Sequence, residues 1–220
     1  GAPIKREIVN EANALLKNTK FVCGYGLTEA SPILSFFKPD QLQEGDEDFN
    51  YMPIGKPLVD IQFQLVNKNL DGIGELAAQG PNIFSGYLKN EKETSARFQD
   101  GWFLTGDLAK LDKAGHLQLR GRIQDVIITS DENVYPAEVE TVLLELPSIV
   151  EAVVLGIPDE KKGELVAAIL VSNNQDVKSL ERHCRLHLGA FKVPRMWKFV
   201  ERIPRTPLGK ISRKKLISIF

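Results

Sequence analysis

Gly121-Arg122-Ile123-Gln124-Asp125-Val126-Ile127-Ile128 divides this chain. Before it, Ile61, Phe63 and Leu65 alternate with Gln62 and Gln64, the period of a half-buried strand. Asp71-Gly72 turns the chain into a second strand from Gly74 to Ala78. Asp112-Lys113-Ala114-Gly115 joins two more strands, the latter carrying Leu117 and Leu119 on one face. These segments predict a small, mainly antiparallel β unit. After the divide the pattern becomes α+β. A strand at Val126-Ile127-Ile128 leads to a helix from Pro136 to Leu146 with an acidic first turn that suits the helix dipole. Strands follow at Ile149 to Leu155 and Glu164 to Val171, then a helix from Val177 to Leu188 and a strand from Trp197 to Val200. The last hundred or so residues have their own apolar set, as a small domain requires. The expected division is therefore 1–123 and 124–220.

Toward the amino terminus, Pro3 opens a predicted helix over residues 3–17, with Ile4, Ile8, Leu15 and Leu16 on one stripe. Phe21-Val22-Cys23 reads as a short buried strand, and residues 38–57 read as a long surface loop because of Pro39, Gly45, Pro53, Gly55 and Pro57. The chain has 220 residues, 43% hydrophobic and 26% charged, ordinary for a globular protein. A net charge of -1 gives no footprint for nucleic acid, and Arg213-Lys214-Lys215 reads as a solvated face. No apolar run reaches the ~18 residues of a membrane helix, and no secretory signal is expected. Cys23 and Cys184 are too few for a disulfide framework and fit a reducing cytosol.

Three polar turns carry candidate chemistry. Tyr25-Gly26-Leu27-Thr28-Glu29 follows the first strand, where functional groups tend to face a ligand crevice. The Thr28 hydroxyl suits a phosphate oxygen and the Glu29 carboxylate suits Mg²⁺, a hard cation that prefers oxygen. The same residues also read as a helix start with Thr28 as the capping residue. In Trp102-Phe103-Leu104-Thr105-Gly106-Asp107, Gly106 lets the backbone approach a ligand, and the Asp107 carboxylate suits a ribose diol, although Asp is also common in turns. Arg122 offers a fork-shaped cation for a second ribose or phosphate contact, or a surface ion pair. Within Arg205-Thr206-Pro207-Leu208-Gly209-Lys210, the four residues from Thr206 to Gly209 form a tight turn, with Pro second and Gly fourth. It presents one lysine, the group wanted where negative charge develops on phosphate. His183 and His187 stand at a spacing able to bind zinc, yet Leu180, Cys184 and Leu188 share one apolar stripe that reads as core. Glu138 and Glu140, two apart on a helix, point to different faces and make no catalytic pair.

Taken in order, these motifs resemble one family. Tyr25-Gly26-Leu27-Thr28-Glu29 comes first, followed by Gly74-Glu75-Leu76, Gly80-Pro81 and Gly86-Tyr87. Trp102 to Asp107, Gly121-Arg122 with Asp125, and Pro136 with Glu138 and Glu140 come next, and Pro204, Thr206, Gly209-Lys210 and Arg213 complete the series. The series resembles the adenylate-forming superfamily of acyl- and aryl-CoA synthetases, peptide-synthetase adenylation domains and beetle luciferases. The resemblance implies the end of a large α/β nucleotide-binding domain over 1–123, with a small mobile α+β domain over 124–220. It implies an ATP-dependent carboxylate–CoA ligase that forms an acyl-adenylate and then a thioester, with ATP or AMP, Mg²⁺ and coenzyme A as its small molecules. Tyr25, beside Gly26, would lie against adenine, and Thr28 would contact phosphate. Glu29 would ligate Mg²⁺, while Asp107, helped by Arg122, would hold the ribose. Gly1 and Ala2, with Pro3, look like the remains of the family's Gly-Ala-Pro segment lining the adenine and acyl pocket. Lys210 would bridge the substrate carboxylate and the α-phosphate, and Gln124 would be the hinge.

Two departures from the family pattern set further expectations. The family's Ser/Thr/Gly-rich phosphate loop would lie upstream of residue 1, so adenylation by these 220 residues alone is not expected. Ser130-Asp131 stands where the family often has two glycines, at positions that favour positive φ. The fatty or aromatic nature of the acid is an expectation from the bacterial acyl-CoA synthetase branch. Loading of a carrier protein through its phosphopantetheine is the alternative, and a non-catalytic nucleotide- or partner-binding module is another.

Overall fold

The predicted first helix forms as α1 (Arg6–Leu15), but its expected apolar stripe does not face the core. The computed structural model describes residues 4–41, 51–113, 115–207 and 209–220, which fall into two compact units, Gly1–Ile123 and Gln124–Phe220. In α1 only Val9 is buried, packing with Cys23, Phe37 and Met52, while Ile8 is 55% and Leu15 82% exposed. Backbone pairing explains the shift. The Met52 N–H donates to the Ile4 carbonyl at 2.8 Å and Lys5 bridges to Tyr51, so the helix begins later and turns Val9 inward.

Strands β1 (Cys23–Tyr25), β2 (Ser35–Phe37) and β3 (Lys56–Pro57) make a three-stranded antiparallel sheet. The first strand starts at Cys23 rather than Phe21, and Val22 is half exposed. β2 carries no sequence signal beyond its aromatics; its buried Ser35 hydroxyl donates to the Ile54 carbonyl. Of the expected loop over 38–57, residues 42–50 lie outside the described residues. Met52 and Ile54 at its end are buried, so that end belongs to the core rather than the surface.

The alternation read from the sequence builds the second sheet of this unit. β4 (Gln62–Val66), β5 (Gly74–Gln79) and β7 (Trp102–Leu111) pair antiparallel in that order. Between them come α2 (Glu91–Arg97), capped by the Asn90 side chain, and β6 (Phe98–Gln99). β6 pairs with the start of β7 and β8 (Leu117–Arg122) with its end. Tyr25, Ala30, Leu34, Ile54, Leu76, Ala78, Ala109 and Leu117 share the core between these elements.

The second unit is built on one long hairpin, β11 (Ile149–Asp159) and β12 (Gly163–Ser172). Before it come the hairpin β9 (Ile127–Thr129) and β10 (Glu132–Val134), then α3 (Pro136–Leu144), with proline at its first turn. After it come α4 (Val177–His187), capped by the Asp176 carboxylate, and β13 (Met196–Phe199), which carries Trp197 and runs parallel to β12. Alternation gives the hairpin two apolar faces. Val154, Ala168 and Leu170 pack under Val139, Leu143, Leu180 and Cys184 of the helices. Val153, Leu155 and Ile169 pack on Ile203 and on Leu216 of α5 (Arg213–Leu216). Each fully buried Leu here contributes about 1.5–3 kcal/mol. Among the described residues, no helix is long and apolar enough to cross a membrane.

Candidate active site

Asp107 is placed by a bulge. Pairing of β5 with β7 shifts between Glu75 and Ala77, and that of β7 with β8 shifts between Leu108 and Ala109. At this irregularity the Thr105 hydroxyl donates to the Leu76 carbonyl at 2.7 Å, and the Gly106 N–H donates to Glu75 Oε1 at 2.9 Å. Gly106 has φ +76°, and a Cβ there would lie 2.9 Å from Arg97 Nη1, so no other residue fits without strain. Bulges of this kind re-aim the following side chain.

The re-aimed Asp107 is directly opposite Arg122 in the β7–β8 register, and Arg122 Nε donates to its Oδ1 at 2.7 Å. The Tyr25 hydroxyl donates to its Oδ2, also at 2.7 Å. Tyr25, Asp107 and Arg122, chosen from three separate motifs, thus meet at one carboxylate. Burial pushes the Asp107 carboxyl above the usual carboxylate range, and the opposing pull of Tyr25 and Arg122 does not cancel it. Burial, reinforced by Asp107, likewise pushes the Tyr25 phenol up. Each carboxylate oxygen has two lone pairs, so this pair of oxygens retains capacity for two further donors, such as a vicinal diol.

The turn after β1 lies in the same unit. Gly26 is required by a close approach, since a Cβ would come within 1.9 Å of the Pro32 carbonyl oxygen. Thr28 begins a 3-10 turn, Thr28–Ala30, whose capping residue is Leu27, so Thr28 is not the cap. Its side chain is exposed and has no hydrogen-bond partner among the described residues. Glu29 accepts the Tyr87 hydroxyl at 2.8 Å through Oε1, and Asn82 fixes the turn by donating to the Ala30 and Ile33 carbonyls. Glu75, Tyr87 and Arg97 thus join this polar cluster although sequence reading assigned them no role. Gly74-Glu75 and Gly86-Tyr87 were visible as motif letters, whereas nothing near Arg97 distinguished it.

Lys210 belongs to the second unit. The Thr206 N–H donates to the Lys210 carbonyl at 2.8 Å, the Gly209 N–H to the Thr206 carbonyl at 2.8 Å, and the Lys210 N–H to Thr206 Oγ1 at 3.1 Å. The loop is closed on itself, and the exposed Lys210 ammonium has no partner among the described residues. Arg213, three residues on, is not the solvated residue its basic neighbours suggested. It donates to the Val154 carbonyl at 3.0 Å, to Asp125 at 3.1 Å and to Glu140 at 2.7 Å. Burial works against its charge, but Glu140 and Asp125 outweigh it and hold the guanidinium above its ordinary pKa. Glu138 turns the other way, to Lys192 at 2.6 Å. Gln124 lies in the 3-10 turn Ile123–Asp125 at the start of the second unit. Gly1 and Ala2 lie outside the described residues.

Residues 1–88 match the family described as AMP-binding enzyme, and residues 138–210 match the AMP-binding enzyme C-terminal domain. The chain belongs to the AMP-binding, adenylate-forming enzyme family. Among adenylate-forming relatives, it is similar to the 2-succinylbenzoate--CoA ligase of Bacillus licheniformis, with 35% identity over 98% of this chain and 45% of that protein. It is 32% identical to a long-chain-fatty-acid--CoA ligase of Escherichia coli O6:H1, over 98% of this chain and 38% of the relative. Its fold is similar to that of the o-succinylbenzoate CoA synthetase of Bacillus subtilis. The TM-score is 0.83 for that protein's complex with the acyl-adenylate OSB-AMP and 0.81 for its complex with ATP and magnesium ion. Both comparisons give 32% identity and cover 98% of this chain, with 44% and 45% of the respective B. subtilis chains. The chain thus spans less than half the length of these adenylate-forming relatives.

Proposed function

We propose that this chain carries the ribose-reading corner and the lysine loop of an AMP-forming carboxylate–CoA ligase. The observation that carries the reading is the buried Asp107 carboxylate, aimed by the Gly106 bulge and held between Tyr25 and Arg122. Asp107 accepts the two ribose hydroxyls, and Tyr25 and Arg122 favour its charged form against the larger push of burial. The Tyr25 ring packs beside the adenine, and Gly26 lets the turn close on the Pro32 carbonyl next to it. Thr28 donates its free hydroxyl to phosphate. Glu29 fits a hard cation, because Tyr87 engages only Oε1 and leaves Oε2 for it. Mg²⁺ bound there neutralises phosphate charge. Lys210, on its self-closed loop, places a point charge where the attacking carboxylate meets the α-phosphate, and is needed for that step alone. Gln124 is the pivot of a mobile domain over 124–220 that exchanges Lys210 for the 130–136 loop when the coenzyme A thiol attacks.

The names of the relatives support an aromatic or fatty acid as substrate, and two free, buried cysteines suit a reducing cytosol. The test uses the whole protein that contains this chain, with ATP, Mg²⁺, coenzyme A and a panel of carboxylic acids. Lys210→Ala lowers acyl-adenylate formation by about 10²–10³-fold, and leaves thioester formation from supplied acyl-adenylate intact. Equal loss of both half-reactions removes Lys210 from the proposed role, and a panel without AMP release refutes the ligase reading itself.

A further inference from the structure

α4 carries a second polar cluster, made of residues given no role above. His183 and His187 are one helical turn apart, and their ring centroids lie 4.6 Å from each other. Which face they occupy is fixed by packing, since Leu180 and Cys184 of the same helix are 2% and 0% exposed and anchor it on the hairpin core. From the end of α3, Glu145 brings Oε2 to 3.4 Å from His183 Nε2. One donor atom from each of the three residues lies within 4.8 Å of the others.

His183 has a further contact that suits a metal-bound imidazole. Its Nε2 lies 2.9 Å from the Val142 carbonyl oxygen. With the proton on Nε2 donated to that carbonyl, the ring is oriented and Nδ1 is the ligating nitrogen, so Glu145 binds by turning its exposed side chain from the 3.4 Å contact with Nε2 toward Nδ1. His187 and Glu145 are exposed, so their side chains are free to close toward the ~3.3 Å donor spacing of a tetrahedral shell around an ion bound at about 2.0–2.1 Å.

We propose that Glu145, His183 and His187 form a zinc site that ties the end of α3 to α4. Two imidazoles and one carboxylate suit zinc and its neighbours among divalent transition metals, and do not suit Mg²⁺ or Ca²⁺, which take oxygen shells. Three protein ligands leave one position for water. This proposal is independent of the nucleotide reading, because it uses none of the residues assigned there.

The test is titration calorimetry of the metal-stripped chain with Zn²⁺, paired with thermal melts. The expected result is one saturable Zn²⁺ site that excess Mg²⁺ does not compete for, with the thermal midpoint rising as Zn²⁺ exceeds its Kd. His187→Ala and Glu145→Gln, both surface changes, each weaken Zn²⁺ binding at least about tenfold while leaving the metal-free melt unchanged. Absence of saturable binding at ~100 µM Zn²⁺, a typical weak-site limit, overturns the proposal. So does undiminished binding in His187→Ala, which assigns the ion to other groups such as His116 or a cysteine.

Discussion

Asp107 sits where function and stability oppose each other. Its carboxyl titrates higher in the folded chain than in the unfolded one, because burial disfavours the charge more than Tyr25 and Arg122 favour it. The folded state therefore binds the proton more tightly. The stabilisation is full below the unfolded value of about 4, and is lost as pH rises through the folded value. Asparagine mimics the protonated form. The expected outcome is that Asp107→Asn melts at a higher temperature than the native chain at pH 7, and that the difference vanishes near pH 4. Calorimetric binding of AMP falls at least about tenfold in the same variant, one hydrogen-bonded charge being worth roughly 1.5–3 kcal/mol. A variant less stable at pH 7 with unaltered AMP affinity refutes both halves of the argument.

At the scale of elements, the turn between β9 and β10 and the anchor of α5 make opposite demands on the chain. Ser130 and Asp131 have φ of 51° and 64°, so the two-residue turn is of the primed type that glycine and asparagine favour. Asp tolerates this conformation better than Ser. Ser130→Gly is expected to stabilise the second unit by about 0.5–1 kcal/mol, read from the midpoint of urea unfolding, and a shift to lower urea would show that the turn is not strained. Arg213 joins α5 to α3, to β11 and to Asp125. Arg213→Ala leaves Glu140, 8% exposed, without its cation, at a cost of about 3 kcal/mol; a loss under about 1 kcal/mol would mean the Val154 N–H alone satisfies that carboxylate. Positive φ at Ser130-Asp131 was legible from the glycines the family often has there, but the returning strand β10 was not, since Glu132-Asn133-Val134 carries no period of its own. Arg213 was not, because its neighbours Lys214 and Lys215 are exposed and adjacent letters do not say which cation turns inward. The alternating strands could be read from period alone, while the Gly106 bulge could not, since a register shift depends on the partner strand. Likewise Tyr25, Asp107 and Arg122 were each visible as motif residues, but their meeting at one carboxylate required the pairing of β7 with β8 and the packing of β1 into the shared core.

Across the whole chain, each unit has its own core. Ile127, Leu143, Leu170 and Leu180 serve only the second unit, as Leu34, Leu76 and Ala109 serve only the first. Scanning calorimetry is therefore expected to resolve two transitions, and residues 124–220 produced alone should reproduce one of them. A single transition, with the isolated piece unfolded, would show that the second core is insufficient. The means of watching this are already present. The chain has two tryptophans, Trp102 opening β7 and Trp197 in β13, one in each unit. The Trp197 indole nitrogen is shut away from solvent without a hydrogen-bond partner among the described residues. An indole screened in this way emits at shorter wavelength than a wetter one, so unfolding of the second half shifts the Trp197 emission to longer wavelength. With one tryptophan in each half, a variant keeping only Trp197 lets emission follow the second half by itself, with no dye attached.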